Sequence, residues 1–197
     1  MEIKRFYHSI RLKLMKNPRK RAAYLKKHHL LDAIGENCIW GPTRLPLYSE
    51  LIRLHNNVVV HKSAVIIPHD MVNGFLKRAR PDMDFGYRER LGCVEIMDNV
   101  YVGNHVTILP DVRIGQNCII STGSVVTQDI PENSVVAGNP AKVIGRFDIF
   151  CAMRRARNKE NVRLVNQKLS AELAKEKWER FDRKHAEHKR NGEIEGK

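Results

Sequence analysis

Residues 94–130 read VEIMDNVYVGNHVTILPDVRIGQNCIISTGSVVTQDI, and an aliphatic residue recurs at every sixth position of this stretch. These positions are Ile96, Val102, Ile108, Ile114, Ile120 and Val126. Two places before each of them stands a small or β-branched residue: Val94, Val100, Val106, Val112, Cys118 and Ser124. Gly103 and Gly115 directly follow their aliphatic residues, where a chain that turns a corner benefits from a permissive backbone.

The same six-residue spacing occurs upstream. It gives Leu54, Val60 and Ile66, preceded by Ile52, Val58 and Ala64, and then Ile34 and Trp40 with Cys38 between them. An α-helix cannot keep this period on one face, because six residues turn it through about 600°. Short strands separated by corners can, with the aliphatic residue of each hexad pointing inward. An ordinary β-sandwich is the alternative, but it gives no reason for one register to persist through so many hexads.

The charge of the chain is unevenly distributed. Among its 197 residues, 35 Lys and Arg stand against 22 Asp and Glu, so the formal net charge is +13. It amounts to +9 in residues 1–30, −1 in residues 31–146 and +5 in residues 147–197. The basic character therefore belongs to the two ends. We expect no nucleic-acid partner, because no recognition motif accompanies the basic runs.

Apolar segments and cysteines indicate the compartment. No apolar run approaches the roughly eighteen residues that a membrane-spanning helix needs, and Lys and Arg interrupt the apolar residues of the N-terminus, unlike in a signal peptide. The four cysteines, Cys38, Cys93, Cys118 and Cys151, form no C-x-x-C pair. They are typical of reduced thiols, with Cys38 and Cys118 at the small inward position of a hexad. We therefore expect a cytoplasmic protein.

The repeat and two further stretches of the sequence together resemble one known protein family. These are YSELIRLHNNVVVHKSAVIIPHD (residues 48–70) and STGSVVTQDIPENSVVAGNPAKVIGRF (residues 121–147). All three resemble the hexapeptide-repeat acyltransferases, in particular their sugar and polysaccharide O-acetyltransferases. The resemblance implies a mainly β fold, a left-handed parallel β-helix over residues 31–147, with helical segments over 1–30 and 148–197. The left hand comes from the resemblance alone, since crossovers between parallel strands are ordinarily right-handed.

The hexad register is lost after His69 and recovered at Val94, so residues 70–92 are expected to form an inserted loop. Such loops in repeat proteins are usually functional or disordered. In the resembling enzymes a histidine at the head of this loop is the general base, which implies that role for His69. Imidazole titrates near neutrality and can hold a proton in transit. Asp70 is either an orienting residue or a loop-starting residue that binds local backbone.

A zinc site is the alternative use of the histidines, because some hexapeptide-repeat proteins bind zinc through three of them. His61, His69 and His105 could supply such ligands. However, no other histidine stands within four residues of His69 or His105, and the closing segment resembles that of acyltransferases. We therefore expect no metal.

The resemblance also implies acetyl-CoA as co-substrate, bound in a slot between two subunits of a homotrimer. Matched by position, the residues implied to line it are Asn104, Thr122, Thr127, Lys142 and Arg146. The first two would line the pantetheine arm, and Lys142 and Arg146 would face the phosphorylated adenosine end. These two are the only basic residues between positions 114 and 146, and charge-assisted contacts to phosphate are strong. Simple turn chemistry is the alternative for Asn104 and Thr122.

Both ends of the chain show helical apolar spacing among basic residues. At the N-terminus it involves Ile3, Phe6, Tyr7, Ile10 and Leu14 and ends at Asn17-Pro18, with a second helix expected over residues 19–31. At the C-terminus it involves Val162, Val165, Leu169 and Leu173. These helices either cap the repeat or, for the N-terminal one, contact an anionic membrane surface where a lipid-linked glycan is modified.

Taken together, the sequence predicts a cytoplasmic, acetyl-CoA-dependent O-acetyltransferase that acts on a sugar hydroxyl in surface polysaccharide or lipopolysaccharide biosynthesis. Transfer is expected to be direct, in a ternary complex, because no Ser or Cys is visibly paired with His69 as a nucleophile. N-acetylation of an amino sugar is the enzymatic alternative. A non-catalytic β-helix that serves as an assembly scaffold is the alternative of a different class.

Overall fold

In the computed structural model, which describes residues 2–84, 89–156 and 169–194, the hexads form short strands in three parallel sheets. The chain visits the sheets in rotation, so that equivalent residues of neighbouring coils lie 16, 18 or 20 positions apart. Across the inserted loop this spacing lengthens to 42. Three parallel sheets visited in rotation are the topology of a parallel β-helix.

The strands are distributed over three sheets, which we call A, B and C. Sheet A contains β1 (Ala33–Ile34), β3 (Ile52–Leu54), β8 (Val94–Ile96) and β11 (Val112–Ile114). Sheet B contains β2 (Ile39–Trp40), β4 (Val59–Val60), β9 (Val100–Val102), β12 (Cys118–Ile120), β14 (Ser134–Ala137) and β15 (Lys142–Arg146). Sheet C contains β5 (Val65–Ile66), β10 (Thr107–Ile108) and β13 (Val125–Val126). All these strands pair in parallel except β15, which is antiparallel to β14.

The hexad residues form the core, as their spacing predicts. All six aliphatic residues from Ile96 to Val126 are 0% exposed, and the set two places before them, from Val94 to Ser124, is at most 2% exposed. Side chains alternate across a strand, so two positions of each three-residue strand point inward and the middle one outward. Cys38 and Cys118 lie inward among them, and burial raises the pKa of both thiols.

Gly103 and Gly115, which directly follow aliphatic residues of the hexads, are required for a different reason from the predicted one. Among the described glycines, only Gly123 and Gly138 have a positive φ, so the expectation of a permissive backbone at Gly103 and Gly115 is wrong. A Cβ on Gly103 would lie 2.9 Å from the carbonyl oxygen of Ile120, and one on Gly115 would lie 2.6 Å from the backbone nitrogen of Glu132. These positions exclude side chains because the next coil passes too close.

The corner between sheets A and B is held by a ladder of asparagines with positive φ. The amide of Asn57 donates to Asn99 (2.8 Å), Asn99 donates to Asn117 (3.0 Å), and Asn117 donates to Asn133 (2.9 Å). Their φ values lie between 54° and 60°, a region that Asn tolerates better than other residues with a Cβ. The ladder thus ties four successive coils together at one corner.

We expect Asn117→Ala to lower the free energy of unfolding by about 2 kcal/mol. The substitution removes the side-chain hydrogen bonds to Asn99 and Asn133, and it leaves alanine at a positive φ that these hydrogen bonds no longer stabilise. Asn117→Gly loses the same bonds but accepts the backbone angle, so its loss should be about 1 kcal/mol smaller. Urea denaturation of both variants measures the difference. Equal losses would show that the backbone angle contributes nothing.

The outer face of sheet A carries a charged cluster centred on Glu95, whose side chain is only 16% exposed. Glu95 stands in register between Arg53 and Arg113 on the neighbouring strands. Its carboxylate lies 3.0 Å from Nε2 of His55, 3.3 Å from a guanidinium nitrogen of Arg53 and 2.7 Å from Nε of Arg113. The hydrogen bond to His55, followed by those to the two arginines, lowers the pKa of Glu95 to about 2.

This shift predicts an acid-dependent loss of stability. Because the pKa of Glu95 is lower in the folded state, its contribution is complete above pH 4.5 and disappears as the pH falls towards 2. The contribution is on the order of 2–3 kcal/mol. Urea denaturation between pH 6 and pH 2.5 should therefore show a steeper acid-side decline for the unmodified chain than for Glu95→Gln. Parallel curves for the two proteins would contradict the assignment.

The N-terminal end of the stack is covered by a helix. α1 (Glu2–Leu14) is followed by α2 (Pro18–Lys27). Asn17 caps the start of α2, because its side chain accepts a hydrogen bond from the backbone N–H of Arg19 (2.8 Å). The second helix ends at Lys27, not at the predicted residue 31. α2 buries Ala22, Tyr24 and Leu25, and the side chain of Arg21 donates to the carbonyl oxygen of Trp40 (3.0 Å). α2 therefore caps the first coil.

The inserted segment contains more regular structure than a loop. β6 (His69–Asp70) pairs antiparallel with β7 (Arg90–Leu91), and α3 (Val72–Ala79) lies between them. The spacing of Val72, Phe75 and Leu76 suits one face of a helix, so this segment differs from the expected loop. Residues 85–88 of this segment lie outside the described residues.

At the other end, α4 (Phe147–Ala156) begins where the β-helix was expected to end. By contacts the chain divides into two units, Met1–Arg155 and Ala156–Lys197, and α5 (Ala171–Ile194) forms the described part of the second. Val162 and Val165 of the predicted C-terminal stripe lie outside the described residues. Among the helices in the described ranges, none is long and apolar enough to cross a membrane.

Candidate active site

His69 lies at the corner where the chain leaves sheet C and the inserted segment begins. It follows β5 and pairs with Leu91, so the two ends of the insertion are held together at this point. The backbone N–H of Gly92 donates to the carbonyl oxygen of Pro68 (2.9 Å) and closes the excursion. The half-buried His69 side chain is thus attached at the base of the insertion, next to the coil.

The imidazole of His69 packs edge-on against the ring of Tyr48, with 5.5 Å between ring centroids and an interplanar angle of 74°. Its Nδ1 is buried and, among the described residues, has no hydrogen-bond partner. Ring packing therefore orients this imidazole, and no described protein group fixes its tautomer.

Tyr48 is a site residue that the sequence did not reveal. Its φ is 55°, in the left-handed region that an aromatic residue rarely adopts, and such strain is common at functional sites. The hydroxyl of Tyr48 donates to Oε2 of Glu89 (2.7 Å), and this hydrogen bond raises the pKa of Tyr48. The two residues are 41 positions apart and follow no motif, so only the folded chain brings them together.

A cavity of about 500 Å³ opens beside His69. One wall is formed by residues 62–67, which include β5, and the other by residues 42–47, with Trp40 and Arg5 completing it. The segment 42–47 belongs to the first coil, where no hexad signal predicted a site. His69 is therefore one of the residues that line an open cavity on the surface of the stack.

Asp70 does not contact the imidazole. Its Oδ1 accepts a hydrogen bond from the backbone N–H of Val72 (2.6 Å), at the start of α3. Of the two interpretations from the sequence, this contact favours the loop-starting residue that binds local backbone.

Three of the five residues assigned to the coenzyme share one edge of the stack. We call this the BC edge, where the chain passes from sheet B to sheet C; it contains residues 61–64, 103–106, 121–124 and 138–141. Asn104 and Thr122 lie on successive coils there, after β9 and β12. Lys142 borders this edge as the first residue of β15, opposite Ala137. Neighbouring strands are about 4.8 Å apart and β15 is the third strand from β9, so the three residues span about 14 Å along the stack.

Asn104 is held in place by the coil before it. Its Oδ1 accepts a hydrogen bond from Oγ of Ser63 (2.9 Å), and the same Oγ accepts one from the backbone N–H of His105 (3.1 Å). The carbonyl oxygen of Asn104 accepts from Gly123 (2.9 Å). The side chain of Asn104 therefore does stabilise the turn through its Oδ1. Its amide nitrogen is the group that could donate a hydrogen bond to a ligand. Thr122 is exposed beside it.

The other two assigned residues lie elsewhere. Thr127 is on the CA edge, where the chain passes from sheet C to sheet A through residues 67–69, 109–111 and 127–129; His69 is on the same edge. Arg146 stands opposite Ser134 at the far end of β15 from Lys142 and makes a bidentate ion pair with Asp148 (3.1 and 2.6 Å). The structure therefore does not bring Lys142 and Arg146 together.

The three histidines considered as metal ligands are also separated. His61 and His105 lie on the BC edge of successive coils, while His69 lies on the CA edge. Across the described ranges, no three side chains of His, Cys, Asp or Glu form a group that could hold a metal ion.

A stack of hexads with a histidine at the start of a long insertion is typical of hexapeptide-repeat proteins. Residues 93–128 match the family model described as "Bacterial transferase hexapeptide (six repeats)". In structure, the chain is similar to a maltose O-acetyltransferase from Clostridium difficile 630, with a TM-score of 0.50 and 25% identity, covering 73% of this chain and 87% of that one. The resemblance to the hexapeptide-repeat acyltransferases is thereby confirmed.

Two further comparisons give the extent of this similarity. A galactoside acetyltransferase in complex with coenzyme A shares the fold, with a TM-score of 0.55 and 21% identity, covering 86% of this chain and 88% of that one. A Staphylococcus aureus (strain COL) protein named "Putative acetyltransferase SACOL2570" is 42% identical over 79 residues, which are 38% of this chain and 39% of the relative. The aligned part thus spans about two fifths of that curated relative.

Proposed function

We propose that this protein transfers an acetyl group from acetyl-CoA to a hydroxyl of a sugar, in the assembly of a surface polysaccharide or lipopolysaccharide. The observation that carries the proposal is His69: its imidazole is packed against Tyr48, and the residue lines an open cavity on a stack of hexads. Similarity to a maltose O-acetyltransferase supports a sugar hydroxyl as the acceptor. The left hand of the coil belongs to the same proposal, supported by its solved neighbours.

In this mechanism His69 acts as the general base. It takes the proton of the acceptor hydroxyl while that oxygen attacks the thioester carbonyl; the new C–O bond forms, the C–S bond breaks, and the CoA thiolate receives the proton. The buried Cys38 and Cys118 point into the core and burial raises their pKa, so neither of these two thiols is suited to form an acyl-enzyme. A backbone N–H at a coil corner is the proposed donor to the oxyanion.

Acetyl-CoA is proposed to lie along the BC edge. Asn104 and Thr122 would bind the pantetheine arm through polar contacts, and the exposed Lys142 would meet a phosphate. The resemblance assigns Thr127 and Arg146 to the same coenzyme. Because they lie away from the BC edge, they would contact it only if it is bound to another copy of the chain or if its outer part extends to them. The pairing of Arg146 with Asp148 weakens its share.

The position of the two edges supports a homotrimer. His69 on the CA edge and Asn104, Thr122 and Lys142 on the BC edge are separated by sheet C within one chain. A site with both therefore requires the CA edge of one copy to face the BC edge of the next. Three copies related by a threefold axis form three such sites. We further propose a cytoplasmic location, which the four free cysteines support.

The first test is removal of the base. His69→Ala should lower kcat by about 10²- to 10⁴-fold, because proton transfer is lost, while acetyl-CoA should still raise the melting temperature. Thiol release from acetyl-CoA, followed with a panel of neutral, acidic and amino sugars, measures the rate and distinguishes hydroxyl from amine acceptors. Asp70→Asn is the matched control, since an amide oxygen can still accept from Val72, and its activity should be unchanged.

The alternatives give different results in the same assay. A non-catalytic scaffold shows no thiol release with any sugar and no thermal shift with acetyl-CoA. Full activity in His69→Ala would refute the base. A loss in Asp70→Asn as large as that in His69→Ala would instead show that the carboxylate orients the imidazole or the acceptor.

The second test is complementation between two inactive chains. A His69→Ala chain is co-expressed with an Asn104→Ala/Lys142→Ala chain, so that one keeps an intact BC edge and the other an intact CA edge. Random mixing restores both edges at about a quarter of the interfaces, and activity should recover to about that fraction. Turnover of the purified mixed oligomer is the measurement.

The control for this experiment is a chain with all three substitutions, mixed in the same way with His69→Ala. It should restore nothing, because no interface then has His69. Absence of recovery in the first mixture, with mixed oligomers shown by mass spectrometry, would place the whole site within one chain.

A further inference from the structure

A second cavity adjoins the one beside His69. This second cavity, of about 940 Å³, lies between α1 and the segment around residues 43–45. Four residues line both cavities: Arg5, Thr43, Arg44 and Leu45. The backbone N–H of Leu45 donates to Oγ of Ser9 (3.2 Å), which fixes the helix beside this segment. A ligand that reaches His69 can therefore extend along α1 without leaving the surface.

The junction of the two cavities is positively charged. Arg5 and Arg44 line both, Lys62 lines the cavity with His69, and Lys13 lines the cavity along α1. Among the described residues, no Asp or Glu lines either one. Guanidinium groups bind phosphate through parallel hydrogen bonds, so the junction suits a phosphate.

The far cavity is bordered by apolar side chains that the fold leaves uncovered. α1 is anchored by its other face: Leu12 is 0% exposed, and Nδ1 of the buried His8 lies 2.8 Å from the hydroxyl of Tyr24. Ile3, Phe6 and Ile10, which border the cavity, are 87%, 67% and 43% exposed. An apolar stripe of this size on an anchored helix indicates contact with an apolar partner.

We propose that the acceptor is a sugar joined through phosphate to a long apolar chain. The sugar lies beside His69, the phosphate at Arg5 and Arg44, and the chain along Ile3, Phe6 and Ile10. This assignment rests on the proposed acetyl transfer at His69. It accounts for both the positive charge of the junction and the exposed apolar stripe. A free neutral sugar would contact neither a phosphate site nor an apolar surface of this length.

A second copy of the chain fits the same surface less well. Residues 1–30 carry ten basic residues and one acidic residue, so two α1 faces brought together would place like charges in contact. A phosphate-bearing amphiphile supplies the opposite charge and the apolar partner in one molecule.

The test uses farnesyl phosphate as the probe, below its micelle concentration, with farnesol and inorganic phosphate as its two halves. Calorimetry on the full chain should show farnesyl phosphate binding at least tenfold tighter than either half. Arg44→Gln should weaken farnesyl phosphate at least tenfold without changing farnesol. Phe6→Ser/Ile10→Ser should weaken both ligands that carry the chain. Acetyl-CoA should give the same thermal shift in every variant.

The matched controls remove one positive charge or two exposed apolar side chains away from the two cavities. They are Lys20→Gln on α2 and Ile149→Ser/Met153→Ser on α4. Both should bind farnesyl phosphate like the unmodified chain. No binding of farnesyl phosphate, or equal losses in the controls, overturns the inference while leaving acetyl-CoA binding and turnover intact. Weakening by Arg44→Gln but not by Phe6→Ser/Ile10→Ser assigns the junction to a water-soluble glycosyl phosphate and overturns the lipid chain. A failure of the proposed function differs, since it removes turnover and the acetyl-CoA shift.

Discussion

The close stacking of one coil on the next is the constraint on which the rest of this structure depends. Backbone hydrogen bonds join equivalent residues of neighbouring coils, so each coil lies about 4.8 Å from the next. That distance leaves no room for a Cβ at Gly103 or Gly115, and it lets the amides of Asn57, Asn99, Asn117 and Asn133 reach one another. The inward side chains from Val94 to Val126 are aliphatic or small, as the hexads predict.

The same constraint positions the candidate site. A stack this rigid tolerates an insertion only where its two ends can be held together, as His69 and Leu91 do. His69 therefore keeps a fixed place on the CA edge, and its ring is oriented by Tyr48 and not by a carboxylate. Asn104 and Thr122, two of the residues assigned to the coenzyme, have equally fixed places on the BC edge. Because sheet C separates these two edges within one chain, the proposed reaction requires two chains of an oligomer at each site.

The two ends of the chain have separate uses. α2 covers the first coil with Ala22, Tyr24 and Leu25, which a repeat stack needs because its end coils have no neighbour. α1 is anchored by His8 and Leu12 but turns its larger apolar side chains outward. Of the basic residues in 1–30, Arg5 lines the cavity with His69, and Arg5 and Lys13 line the neighbouring cavity along α1.

The sequence by itself determined the coil, because a six-residue period of inward aliphatic side chains is a local pattern that only short stacked strands satisfy. It also placed His69 at the insertion. It did not reveal Tyr48, Glu89 or the segment 42–47, since their contacts join residues far apart and follow no period. Likewise, the separation of Lys142 from Arg146 and the joined cavities along α1 were decided only by the tertiary structure. Side-chain pairing and packing between distant segments have no signature in a single sequence, whereas backbone periodicity does.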